Sequence, residues 1–104
     1  MARVPLAPLV NDIGSVSVAA SQVTVTNTST VLAAARERRK RLILYNKQPV
    51  DVYIEGGTAT TLKAVLPAGA SITLYTVSAV EGITSAAYTA TGDYKVHVIE
   101  EYDA

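Results

Sequence analysis

The chain has 104 residues, nine Lys and Arg against nine Asp and Glu, and no cysteine. That length suits one domain, the zero net charge gives no global drive towards nucleic acid, and disulfides and Cys-based metal or nucleophilic sites are excluded. Trp and Phe are absent and the single Met is residue 1, so Val, Ile, Leu and Ala must fill the core, with the six Tyr at its edges.

Charged residues make up 17% of the chain, below the usual quarter, and a near-neutral, rather apolar surface is poorly protected against association. An assembled protein is the expectation. No apolar run approaches the roughly 18 residues of a membrane span. Val4 to Val10 is interrupted by Pro5 and Pro8 and followed at once by Asn11-Asp12, so it does not read as a signal peptide. A soluble protein made in the cytoplasm, with no membrane partner, is expected.

Residues 1–12 lack periodicity, and Pro5 and Pro8 bias them to extended geometry. They read either as a solvated tail or as an extended N-terminal arm. In the second case Val4, Leu6, Leu9 and Val10 supply contacts to a neighbouring subunit. Residues 13–104 read as one β-sandwich domain. From Ile13 to Thr28, Val16, Val18, Val23 and Val25 alternate with Ser and Thr as in strands, with Ala19-Ala20-Ser21 expected as a bend and Asn27-Thr28-Ser29 as a turn.

Thr30 to Lys40 is divided between two structures. Ala, Leu, Arg and Glu favour a helix capped by Ser29 or Thr30, while the flanking β pattern favours a strand at Thr30–Ala33 followed by a basic turn. The strand is preferred. Leu42–Tyr45 and Val50–Ile54 are short apolar runs divided by Asn46-Lys47-Gln48-Pro49, which predicts adjacent antiparallel strands. Gly56 to Thr61 is a small-residue loop without phosphate-binding spacing.

Leu66-Pro67-Ala68-Gly69 predicts a type I turn, and Ser71–Tyr75 a strand with Ile72 and Leu74 on one face. One weaker strand is expected within Gly82–Ala90. Thr91-Gly92-Asp93 then turns into a last strand, Tyr94–Tyr102, with Val96 and Val98 on one face and Lys95 and His97 on the other. About seven short strands at spacings near ten residues define an all-β class, a single small antiparallel β-sandwich or jelly-roll-like barrel.

Chemistry is sparse. His97 is the only histidine, no GxSxG or comparable nucleophile motif is present, and Glu100, Glu101 and Asp103 match no calcium loop. A non-enzymatic protein without cofactor, metal or small-molecule substrate is expected. The sharpest local signal is Arg36-Glu37-Arg38-Arg39-Lys40-Arg41. From Arg36 to Lys47 there are six basic residues and one acidic, whereas Asp93 to Asp103 carries four acidic and one basic. Arg36, Arg38, Arg39, Lys40 and Arg41 are therefore candidate interaction residues. Three readings stay open: a solvated turn, pairing with an acidic surface within or between chains, and a phosphate patch. Tyr53, Tyr75 and Tyr88 are weaker candidates for stacking on sugars.

Val31-Leu32-Ala33-Ala34, the basic stretch, Arg41-Leu42-Ile43-Leu44-Tyr45-Asn46, Val52-Tyr53-Ile54-Glu55-Gly56-Gly57, Leu66-Pro67-Ala68-Gly69-Ala70-Ser71-Ile72-Thr73-Leu74 and Lys95–Glu100 follow one another in a familiar order. Together they resemble a small β-sandwich domain common among virion proteins of tailed bacteriophages. The likeness covers roughly 70% of the chain, from Thr30 to Glu101. Glu55 stands where Gly is common, and the Arg/Lys run is unusually dense. The resemblance implies a structural virion protein on the capsid surface, most like a decoration (cement) protein that binds the major capsid protein, commonly as a homotrimer. A neck, tail or fibre-associated role is the alternative within that setting, and a nucleic-acid-binding module using Arg36–Arg41 is the alternative outside it.

Overall fold

The computed structural model describes residues 16–56, 64–85 and 88–103. The expected arm at 1–12, its contact residues Val4, Leu6, Leu9 and Val10, the first residues of the domain at 13–15 and most of the Gly56–Thr61 loop lie outside them.

Eight strands form among the described residues: β1 (Val16–Val23), β2 (Thr30–Ala33), β3 (Arg39–Asn46), β4 (Val52–Glu55), β5 (Ala64–Leu66), β6 (Ser71–Leu74), β7 (Val80–Ile83) and β8 (Val96–Asp103). They make two four-stranded sheets, ordered β1-β8-β3-β6 and β2-β7-β4-β5. Every ladder is antiparallel, and β1 pairs β8, β2 pairs β7, β3 pairs β6 and β4 pairs β5. This nested pairing is a long hairpin rolled on itself, the jelly-roll arrangement of a β-sandwich. The two sheets stay open and do not close into a barrel.

The core lies between them. Leu42, Leu44, Val96 and Val98 from the first sheet meet Leu32, Val52, Ile54, Leu66 and Val80 from the second. Period-two alternation places these side chains: along β3, Leu42 and Leu44 point inward while Ile43 and Tyr45 point outward. Full burial of each such aliphatic side chain contributes about 1.5–3 kcal/mol. Gly82 makes room at the centre of the second sheet, because a Cβ there would lie 3.0 Å from Leu32 Cδ1 and 3.1 Å from Val52 Cγ1.

Four local expectations are corrected. Leu42–Tyr45 and Val50–Ile54 are consecutive strands but not partners, since β3 belongs to the first sheet and β4 to the second. The reason is the link between them, a corner tied down by the buried Asn46. Its amide nitrogen donates to Val50 O (2.9 Å) and Leu66 O (3.0 Å), and its amide oxygen accepts from Gln48 N (2.9 Å). Gln48 in turn pairs through its own amide with Val25 N and Val25 O. Those bonds replace the hairpin ladder that a tight turn would have started.

Ala19-Ala20-Ser21 does not bend; it runs straight through β1, paired residue for residue with β8. The turn after β5 is displaced by one residue: Ala70 N donates to Pro67 O, and Gly69 has φ of 77°. A positive φ at the third position of Pro67–Ala70 is the type II requirement, which glycine meets without strain. The weak late strand begins earlier than expected, at Val80. The preferred strand at Thr30–Ala33 does form, and so do the strands carrying Ile72 and Leu74 and Val96 and Val98.

Candidate functional site: the basic strip and the solvent face of the first sheet

The basic strip divides at a bulge. The β3–β8 register shifts between Arg39 and Arg41, with Arg39 opposite Tyr102 and Arg41 opposite Glu101. One extra residue in β3 re-aims the side chains on either side of it. Arg39 therefore turns inward and is buried, whereas Lys40 and Arg41 are exposed.

Arg39 plugs one end of the sandwich. Its Nε donates to Glu100 Oε2 at 3.0 Å, one terminal nitrogen donates to Thr76 O (3.1 Å) and Ser78 O (2.9 Å), and the other donates to Ala34 O. One guanidinium thus fastens the β2–β3 link, the β6–β7 link and β8. A planar fork with five donors suits that task, and a single ammonium does not. Arg36 shares Glu100, with Nε 3.2 Å from the same Oε2, and its guanidinium carbon lies 3.7 Å from the Tyr102 ring centre as a cation–π contact.

The outer pairs are of a different kind. Arg41 meets Glu101 Oε2 through Nη2 at 2.7 Å and through Nε at 2.9 Å. The hydrogen bond and the charge of Glu101 raise the Arg41 pKa above its usual value, so the guanidinium stays charged at any ordinary pH. Lys40 and Asp103 are 3.5 Å apart with both side chains nearly half exposed, which makes a weak surface pair. Arg38 is exposed and makes no ion pair among the described residues. Four of the five candidate basic residues are thus brought together with the acidic β8 of their own chain. Arg38 touches β8 through its backbone, its carbonyl accepting from Asp103 N at 3.0 Å. The sequence held the signal for this in the opposed charge of the two segments, but the burial of Arg39 depends on the bulge, which no residue pattern announces.

Beside the strip lies a surface that sequence reasoning did not single out. Residues directly opposite across antiparallel ladders share a face. Arg41 and Glu101 are followed by Ile43 opposite Ile99, then Tyr45 opposite His97, with Val18, Ala20 and Gln22 of β1 beside Glu101, Ile99 and His97. This solvent face carries Val18, Tyr45 and Ile99 exposed, and Tyr75 just beyond β6 is 78% exposed. Tyr45 and His97 rings meet at 5.9 Å between centres, tilted by 52°. His97 faces outward as expected from the alternation of β8. Of the tyrosines considered for sugar stacking, Tyr53 and Tyr88 are half-buried.

A cleft of about 260 Å³ opens between the sheets near β4 and β6, lined by Ile54, Leu74 and Val80 among others, and its one titratable lining side chain among the described residues is Glu55. No group of three or more His, Cys, Asp or Glu among the described residues is placed to hold a metal ion. Compared with known protein families, with curated proteins and with solved structures, the chain finds no match.

Proposed function

We propose that this chain is a non-enzymatic structural protein of a tailed-phage virion that docks on the outer capsid surface and reinforces the shell. The observation that carries this reading is the apolar stripe on the solvent face of the first sheet: Ile43 beside Ile99, flanked by Val18 and Tyr45, on a rigid antiparallel layer. Contiguous exposed apolar groups rimmed by polar ones mark interaction surfaces. The resemblance of Thr30–Glu101 to phage virion sandwiches supplies the setting.

The mechanism is physical. A protein seated where shell subunits meet adds about 25 cal/mol for each Å² of apolar surface removed from water, against a substantial cost of immobilisation. Repetition of the contact around a symmetric homotrimer, which the resemblance implies, multiplies a modest single contact into stable occupancy. A neck, tail or fibre position would use the same face. The nucleic-acid reading loses support because Arg36, Arg39 and Arg41 are already engaged with Glu100 and Glu101. Phosphate would have to displace those carboxylates.

Co-sedimentation of the purified chain with expanded phage heads tests the proposal. Wild type is expected to sediment with heads in amounts comparable to the capsid protein, and Ile99→Glu is expected to lose at least about ten-fold in affinity by burying a charge in an apolar contact. Failure of wild type to bind heads, or salt-sensitive binding to DNA instead, sinks it.

A further inference from the structure

The first strand is built unlike the other sheet edges. β1 spans eight residues with no charged side chain and no Pro. It pairs with β8 along its whole length, and its opposite side meets no strand among the described residues. None of its residues is buried, although Ser17, Ala19 and Ser21 face the same way as the core residues Val96 and Val98. Only its last residue, Val23, packs against the core, and the strand is held by one ladder. The remaining edges are short: β6 and β2 have four residues, β2 is broken by a bulge, and β5 has three. Short strands and bulges are the usual protections of a sheet edge, and β1 has neither these nor a charge.

We propose that β1 is the docking edge for β1 of a second copy, paired antiparallel about a two-fold axis so that two first sheets continue as one of eight strands. The occupant follows from what the edge requires. A partner strand must be long, open on one side and free of charge, and among the described strands β1 is the one that qualifies. The pairing is self-complementary. An axis through Ala20 sets Val18 against Gln22, Ala19 against Ser21 and Ser17 against Val23, and an axis through Ala19 opposes equally small, uncharged residues. In both, every side chain stays on its own face. Residues 1–12 fit the edge poorly. Pro5 and Pro8 are three apart, so in an extended chain one of them falls on the ladder side without an N–H to donate.

The inference rests on edge geometry and not on the virion reading. It occupies an edge and leaves the solvent face open, so even-numbered species are expected: dimers, or hexamers where a three-fold contact also forms.

Sedimentation of the full chain tests it with Ala20→Lys, Ala20→Glu and their equimolar mixture. Wild type should form even-numbered species. Each charged variant should dissociate about ten-fold more readily, because like charges meet near the axis, and the mixture should regain wild-type association. Circular dichroism confirms that the variants fold. Independently, because the chain has no Cys, Ala19→Cys or Ala20→Cys should form an intermolecular disulfide, whichever lies on the axis, while Thr73→Cys on β6 should not. Monomeric or strictly odd-numbered wild type, unaltered association of both charged variants, or equal cross-linking from Thr73→Cys overturns the proposal.

Discussion

Arg39 Nε stands 3.0 Å from Glu100 Oε2 at the end of the sandwich, and the Arg39 side chain has no exposed surface. The pair is a junction more than a bridge, because the same guanidinium also holds three backbone carbonyls. Arg39→Ala should lower unfolding stability by about 3 kcal/mol, since it orphans those carbonyls and leaves Glu100 with Arg36 as its remaining cation. Arg39→Lys should recover less than half of that, as one ammonium cannot reach all four acceptors. Urea denaturation measures both, and a loss under about 1 kcal/mol for Arg39→Ala would contradict the role assigned.

Lys40–Asp103 and Arg41–Glu101 sit on the same two strands yet should differ. A double-mutant cycle on Lys40 and Asp103 should return a coupling indistinguishable from zero, because two half-exposed flexible side chains gain little from meeting. Arg41–Glu101, with two donors on one oxygen, should show a measurable coupling that fades as salt is raised. Equal couplings, or a salt-independent one, would count against this ranking.

Gly82→Ala should destabilise by about 1–2 kcal/mol: overpacking against Leu32 and Val52 outweighs the better strand propensity of alanine. Gly92→Ala is the control, because a Cβ there meets no atom within 4 Å. The comparison of thermal midpoints decides it, and equal shifts would refute the close approach at Gly82.

Asn46→Ala removes three hydrogen bonds at a buried corner and should cost about 3 kcal/mol, while Gln48→Ala, whose two bonds are 3.3 Å long, should cost about half as much. Reversal of that order in chemical denaturation would show that Gln48, not Asn46, holds the corner.

Much of the fold was legible because alternation is written directly in residues such as Leu42, Leu44, Val96 and Val98. The strand at Thr30–Ala33 was also legible, though only through its neighbours, since local propensity alone favoured a helix. Partnership was not. Whether Leu42–Tyr45 pairs with Val50–Ile54 depends on what Asn46 bonds to, and its acceptors Val50 O and Leu66 O are set by tertiary structure. The basic strip was legible as charge opposite charge. Its division into a buried Arg39 and an exposed Arg41 was not, because one bulged residue reverses the facing of everything before it. The apolar stripe escaped notice for a related reason: Ile43 and Ile99 become neighbours only once β3 and β8 are in register.

The nested pairing also grades the loops that must close for the domain to form. β4 and β5 are close in sequence and close the smallest loop, and each outer pair then encloses the one before it, ending with Val16 against Asp103. During synthesis the first of these strands to leave the ribosome waits for the last. With its ladder so distant, the domain should fold slowly and after translation, in the manner of other structures built on non-local contacts. Until β8 arrives, an eight-residue uncharged segment has no strand partner, and pairing with another chain competes with its own ladder.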